Sequence, residues 1–402
     1  MPEAEALHQQ SRVYSVPFGA DLCDATATHV LQHAGADPMA VSNILLLLPN
    51  NRAIKAMTEA FVRQASPGLL LPRMVAIGDL ALDEALGPLL DPLSHDDAIW
   101  PAISPAARIM LLAELVLQHR PKGQPVSAAE ALRLARKLAD MIDELEIEQV
   151  GLDQLSDRNV EADLAEHWRS SFGQIQVILP AYKQQLRAKK LLGPAERRNI
   201  LLGRLEQKLR DTPLRFPVIA AGVTTAASAV ARLLRRITRT PGGEVILPGV
   251  DLMMPSGDWD ALLPASQDDG MPKPRRNAEV HPQFHLKLLL DRMGISRDEV
   301  CSLAGATESA QSPVIADIFC MPEQSAGWRG LPPSRKKLAN VTLVEADDSA
   351  HEAKVIAVQA RGALERFGQR IAIVTPDREL AVRVAAQLRR WGIAVDDSAG
   401  RP

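Results

Sequence analysis

The first strand-like run of the sequence, Val13 to Val16, ends on Pro17-Phe18-Gly19-Ala20-Asp21, where a nucleotide-binding α/β protein would set its phosphate loop. Such a loop needs glycines so that backbone amides can wrap the phosphates, a lysine for the β and γ phosphates and a hydroxyl for magnesium. Gly19 is there, but nowhere in the chain is a glycine followed by lysine. The position reads as a degenerate phosphate loop, an ordinary β-to-α turn with no cofactor-binding residues. A second strand-like run, EVILPGVD, ends on a lone Asp251 where an acidic pair would hold magnesium and polarise water, so ATP hydrolysis is unsupported. Two Glu-x-Lys pairs, Glu206 with Lys208 and Glu352 with Lys354, have the spacing of a magnesium-dependent nuclease. Both fall in charged helical runs, the second opened by a Ser349-x-x-Glu352 capping box, and both read as solvated helix faces. His281 and His285 are four apart with Pro282 between them and no third ligand nearby, which favours capping or packing over metal binding. Cys23, Cys301 and Cys320 are scattered and odd in number, and no Gly-x-Ser-x-Gly elbow occurs. No catalytic residue and no metal ligand is assigned. Basic clusters at Lys189-Lys190, Arg197-Arg198, Arg235-Arg236, Lys273 to Arg276 and Arg335 to Lys337 read mostly as helix faces or linkers. Arg52, Lys55 and Arg378 stand apart, because they follow strand ends where a phosphate backbone could lie on helix N-termini.

The elements that would position these residues follow a strand, turn, helix grammar. VYSV, a helix from Asp21, ILLLL (Ile44 to Leu48) and a helix from about Asn51 make a βαβα unit. The ILLLL run is continuously apolar, the pattern of a parallel strand covered on both faces. FPVIAAG, a helix from about Thr225 to Arg239 and EVILPGVD return to the same grammar later. Between them, residues 104–212 read as a helical insertion. Ser104-Pro105 opens it, Ser127-Ala-Ala-Glu130 starts a helix with an apolar stripe through Leu132, Ala135, Leu138, Ile142 and Leu145, and a helix from about Asp163 to Lys190 carries Pro180 as a kink. Residues 255–280 and 305–340, rich in Pro, Gly, Ser and charge, read as surface loops or linkers. Near the end VTLVEA, a helix from Ser349, IAIVT and a helix from Asp377 repeat the opening pattern. ILLLL-Pro49-Asn50-Asn51 and IAIVT-Pro376-Asp377-Arg378 match in detail, which reads either as a duplicated fold or as two instances of a common β-to-α turn. The predicted division is 1–103 and 213–304 for one α/β domain in two parts, 104–212 for the insertion, 305–340 for a linker, and 341–402 for the start of a second α/β domain.

With 402 residues the chain exceeds one ordinary core, and 46% apolar with 24% charged residues is globular. No run approaches the roughly 20 apolar residues that cross a bilayer, and the opening residues lack the basic end and apolar block of a signal peptide, so a cytoplasmic location with no membrane contact is expected. A net charge of -3 lacks the strong basic field of a small autonomous DNA-binding domain, and 3% aromatic residues leave few rings for base stacking. Nucleic-acid contact would rest on the phosphate backbone.

ILLLLPNNRAIKAMTEAF, LLLPRMVAIGDL, HPQFHLKLLLDRMGI and above all VTPDRELAVRVAAQLRRWGIAVDDSAGRP resemble the AddB subunit of bacterial AddAB helicase-nucleases, in its alphaproteobacterial form, over essentially the whole chain. The resemblance implies two RecA-like (P-loop NTPase-like) helicase domains with a helical insertion and a degenerate nucleotide site. It implies double-strand break processing for recombination at double-stranded DNA ends, in a heterodimer with an ATP-driven AddA-type subunit. Family members continue into a C-terminal nuclease domain with magnesium and an iron-sulfur cluster, so the last residue here, Pro402, is expected to fall inside the second RecA-like domain. Asn50 and Asn51 depart from the Thr and Arg more usual in relatives, which leaves Arg52 as the DNA-contact candidate there. The competing readings are a pure protein-interaction scaffold and a two-domain Rossmann-like nucleotide-sugar enzyme, which would need a glycine-rich turn and a partnered acid.

Overall fold

The computed structural model describes residues 12–35, 39–64, 68–78, 99–119, 126–152, 162–211, 216–263, 276–305, 312–366 and 368–398. The chain divides into two compact units, Met1–Lys336 and Lys337–Pro402.

In the first unit β1 (Val13–Val16) leads into α1 (Leu22–Ala34), β2 (Leu45–Leu48), α2 (Asn51–Gln64) and β3 (Arg73–Ala76). Among the described residues there follow the helices α3 (Pro105–Gln118), α4 (Ala128–Glu148), α5 (Ala162–Ala188) and α6 (Pro194–Asp211). The chain then returns through β4 (Val218–Ala221), α7 (Ser228–Thr238), β5 (Gly243–Pro248), α8 (Ser256–Leu262), α9 (Phe284–Met293) and β6 (Val300–Ser302). The strands form one all-parallel sheet in the order β3-β2-β4-β5-β1-β6. Every residue of β2 is buried because both faces are covered, which is the physical cause of its unbroken leucines. Leu46, Leu48, Ile219 and Ile246 pack under α1 and α2. Leu45, Leu47, Val218, Val245 and Leu247 face α6, α7 and α9 on the other side. The edge strands β3 and β6 escaped the sequence reading, since each is only partly buried and lacks a continuous apolar run.

The insertion is largely as expected, with one redistribution. Ser104 accepts from the Ala107 amide at 3.4 Å and Ser127 from the Glu130 amide at 3.2 Å, so both N-caps form. Leu132, Ala135, Leu138, Ile142 and Leu145 all enter a core shared with α3 and the C-terminal part of α5. Pro180 lies inside α5. Entry and exit are held together by a parallel bridge, Ile103 N to Leu192 O and Leu192 N to Pro101 O, each 3.0 Å. Helix α6, however, sends Leu201, Leu202, Leu205 and Leu209 into the core of the sheet. Its leucine spacing is helical either way, and only the tertiary fold selects which core it serves.

Two stretches read as loops contain packed structure. Within 255–280, α8 buries Trp259 and Leu262 one turn apart, and Arg297 stacks over the indole at 5.2 Å. Within 305–340, helical turns at Ser312–Ile318, Pro322–Gly330 and Pro333–Lys336 form, and Met321 enters the sheet core. Proline suits these short tight turns, so a composition that marks loops also permits them.

The second unit holds α10 (Ser349–Leu364) and α11 (Arg378–Arg390), joined by a small core of Ala353, Ala357, Ala360, Leu380, Val384 and Leu388. Both expected helices are present. The expected strands are not: among the described residues 341–346 and 371–375 no strand is paired, and Leu343 and Val374 are 87% and 93% exposed. An apolar strand pattern becomes a strand only when a neighbour supplies its ladder. The capping prediction for α10 also shifts by one residue. Asp348, not Ser349, is the N-cap, its carboxylate accepting from Ala350 and His351 amides at 2.8 and 2.7 Å. Those two bonds hold the Asp348 carboxyl below its ordinary range. Asp377 caps α11 as expected, accepting from the Glu379 and Leu380 amides.

Candidate functional site

Open parallel sheets bind ligands outside the carboxyl ends of strands whose outgoing connections diverge. The connections diverge at β2 and β4, which lead to β3 on one side and to β5 on the other; the crevice at the expected phosphate-loop position is that of β1 and β5, whose connections run to opposite faces, through α1 towards β2 and through α9 to β6. The crevice is therefore bordered by the Pro17–Asp21 turn and by residues 249–254.

Protein groups bond to one another across it. The Pro17–Asp21 turn is closed by Ala20 N donating to Pro17 O at 3.2 Å. Phe18 lies against Gly249, where an added Cβ would fall 2.8 Å from the ring. The Gln283 side chain donates to Gly249 O at 2.8 Å and accepts from Asp251 N at 3.0 Å, while Ser15 Oγ accepts from Val250 N at 2.9 Å. One oxygen of Asp251 accepts from both Met253 N and Met254 N at 2.9 Å, a turn-forming role. The N-terminus of α1 is capped by Asp21, which accepts from Asp24 N at 3.0 Å, and Asp24 adds a second carboxylate to the first turn, paired with Arg63. Negative charge at that helix end opposes a bound phosphate, the reverse of what a phosphate loop requires. Gly249 sits at φ 54°, so Gly249→Ala is expected to cost about 2 kcal/mol from backbone strain and the Phe18 clash together. Adding Phe18→Ala should recover only the clash, which urea denaturation of the single and double variants would resolve.

The basic candidates occupy three different settings. Arg52 and Lys55 are exposed on the opening turns of α2, whose N-terminus Asn50 caps by accepting from Ala53 N at 2.9 Å. Arg378 is clamped by both oxygens of Asp397 at 2.7 and 2.8 Å, and those bonds raise its affinity for its proton. It borders a groove of about 590 Å³ within the second unit, lined by Ile371, Ile373, Val384, Leu388 and Val395. Among the clusters, Arg198 is not a solvated head: burial holds its guanidinium below the ordinary value. Arg335 pairs with Asp317 at 2.7 Å.

The other candidates behave as structural groups. Glu206 pairs with Arg210 at 2.8 Å on α6. His281 accepts from Gln283 N at 3.1 Å through Nδ1 and donates from Nε2 to Phe319 O, whereas His285 is exposed. The histidine pair is therefore not brought together, and of the capping or packing roles expected, His281 has packing, buried with both ring nitrogens hydrogen-bonded.

A different histidine pair does converge. His29 and His33, one turn apart on α1, meet Glu244 of β5, with Nε2 to carboxylate distances of 2.7 and 3.4 Å. The His-x3-His spacing was the signal in the sequence, but Glu244 lies 215 residues from His29 and only the β1-β5 pairing brings it there. Burial pushes the Glu244 carboxyl up, but the hydrogen bond from His29 and the nearby charges of His29, His33 and Arg12 prevail and hold it below its ordinary value.

No protein-family model and no curated protein matches the chain. Among the described residues no helix is long and apolar enough to cross a membrane.

Proposed function

We propose that this chain is the helicase-like, non-catalytic portion of an AddB-type subunit, acting with an ATP-driven AddA-type partner on double-stranded DNA ends during recombinational repair. The observation that carries the reading is the set of contacts across the ends of β1 and β5, where Phe18 lies against Gly249, Gln283 bridges Gly249 and Asp251, and Asp251 holds a turn, in a sequence without the glycines, lysine and paired acid of a nucleotide site. A parallel sheet interrupted by a helical insertion after β3 is compatible with a RecA-like domain whose nucleotide site has degenerated. The sheet order speaks against the nucleotide-sugar enzyme. In the Rossmann arrangement β1 lies beside β2 at the centre, whereas here β4 and β5 separate them. The clamp of Asp397 on Arg378 favours, as a second reading, a scaffold that holds its partner without touching DNA through that residue.

Purified chain is expected to show no ATP hydrolysis with or without DNA; a DNA-stimulated activity abolished by Asp251→Asn would overturn the reading. It is expected to bind duplex ends with affinity that falls as salt rises, and the Arg52→Ala, Lys55→Ala double variant should reduce the slope of log affinity against log salt by about 2. Unchanged DNA binding by that variant, with co-purification of the AddA-type subunit, would leave the scaffold alone.

A further inference from the structure

The His29, His33 and Glu244 cluster lies at the amino-terminal end of the strands, away from the crevice, because α1 runs back along β1 and Glu244 is the second residue of β5. We propose that these three side chains form a binding site for one divalent ion of the zinc class, tying α1 to β5.

The geometry argues for this from the placement of protons. His33 Nδ1 lies 3.1 Å from the carbonyl oxygen of His29, which can only accept, so Nδ1 carries the ring proton. Its Nε2 faces a carboxylate oxygen 3.4 Å away. Two acceptors facing each other repel unless a cation lies between them, either a second proton on the ring or a metal ion. The Nδ1 to carbonyl bond is also the outer-sphere contact that orients a metal-ligating histidine. All the prospective ligand atoms lie within 4.8 Å of one another, close enough to share one ion.

The donor set suits zinc. Two imidazole nitrogens and one carboxylate are the three protein ligands of an open tetrahedral site, whose fourth position takes water. His29 and Glu244 are 6% and 9% exposed and preorganised, whereas His33 is half exposed and leaves a path for the ion. The His29 ring is held between Tyr14 and His33, at centroid distances of 5.4 and 4.3 Å. His29 Nε2 donates to Glu244 at 2.7 Å, and binding puts the ion in place of that proton, which moves to Nδ1 of a neutral ring or leaves a charged one for solvent. The opposing group is Arg12, whose positive charge acts on Glu244 while its Nη1 donates to Thr240 O at 3.1 Å. It weakens the site without occupying a ligand position. Cys301, paired with Tyr14 across the sheet, lies outside the ligand set.

The test uses the full chain, stripped with chelator and titrated with zinc chloride by calorimetry and with cobalt(II) by absorption. One ion per chain is expected, with the visible absorption of tetrahedral cobalt and a rise in melting temperature on adding zinc. His33→Ala, at a half-exposed position, should weaken zinc at least tenfold and abolish the zinc-dependent rise, while its circular dichroism matches the parent. Glu244→Gln should remove the cobalt signature. Zinc binding of equal affinity in His33→Ala, or an octahedral cobalt spectrum from the parent chain, would overturn the proposal. The outcome is independent of the DNA and ATP measurements, since none of the three residues borders the crevice.

Discussion

Asp143→Ala is expected to lower the stability of the first unit by about 3–5 kcal/mol, the cost of leaving a buried charge without its partner. Arg108, on the first turn of α3, is 5% exposed. Its guanidinium donates to both oxygens of Asp143 on α4 at 2.6 and 2.8 Å and to Ala139 O at 3.0 Å. Burial pulls the Arg108 proton affinity down, but the hydrogen bond and charge of Asp143 together with Tyr182 outweigh it and keep the group charged. Removing Asp143 leaves that charge inside the helical core beside Tyr182, whose hydroxyl burial holds in the neutral form. Chemical denaturation followed by circular dichroism measures the loss. Pairing Asp143→Ala with Arg108→Met should restore most of it, because an apolar pair of similar volume escapes the desolvation cost. A loss below about 1 kcal/mol would mean that the guanidinium reaches water once its partner is gone.

Gly243→Ala is the second large effect, expected at about 3 kcal/mol or more. The residue opens β5 directly after the turn from α7, and its backbone lies flat against that helix end. A Cβ there would fall 2.0 Å from Ile237 O and 3.0 Å from Thr240 O. Both are backbone atoms, and Thr240 O also accepts from Gly243 N at 2.9 Å, so no side-chain rotation relieves the clash. The strand start must move, and Glu244 moves with it. The same variant is therefore expected to lose the cobalt signature of the His29, His33 and Glu244 site as well as stability. Gly257→Ala, in a position with open space around the added carbon, is the control and should lie near zero or be stabilising.

The legible part of this protein was its local grammar. Ser104, Ser127 and Asp377 cap the helices they were expected to cap, because capping is settled within four residues. The two-sided burial of β2 was written in its leucines. At α10 the misplacement was by a single residue, since Asp348 and Ser349 are both good caps and the carboxylate reaches two amides at once. The longer errors arose where composition stood in for packing: Trp259 and Met321 sit in stretches of loop-like composition, yet each has a core to enter. Of the site at the sheet end, His29 and His33 showed their spacing, but nothing near them in sequence pointed to Glu244.

By itself, then, the sequence determined a parallel α/β unit with a helical insertion, and the absence of the glycines and lysine of a phosphate loop. Those properties depend on periodicity and on residue chemistry within a few positions. Tertiary structure alone decided that α6 serves the sheet rather than the insertion, that the apolar runs at 341–346 and 371–375 lack strand partners among the described residues, that Phe18 meets Gly249, and that two histidines of α1 meet Glu244. Each depends on which distant segment is brought alongside, and strand order, which sets those neighbours, is a property of the closed sheet rather than of any one strand.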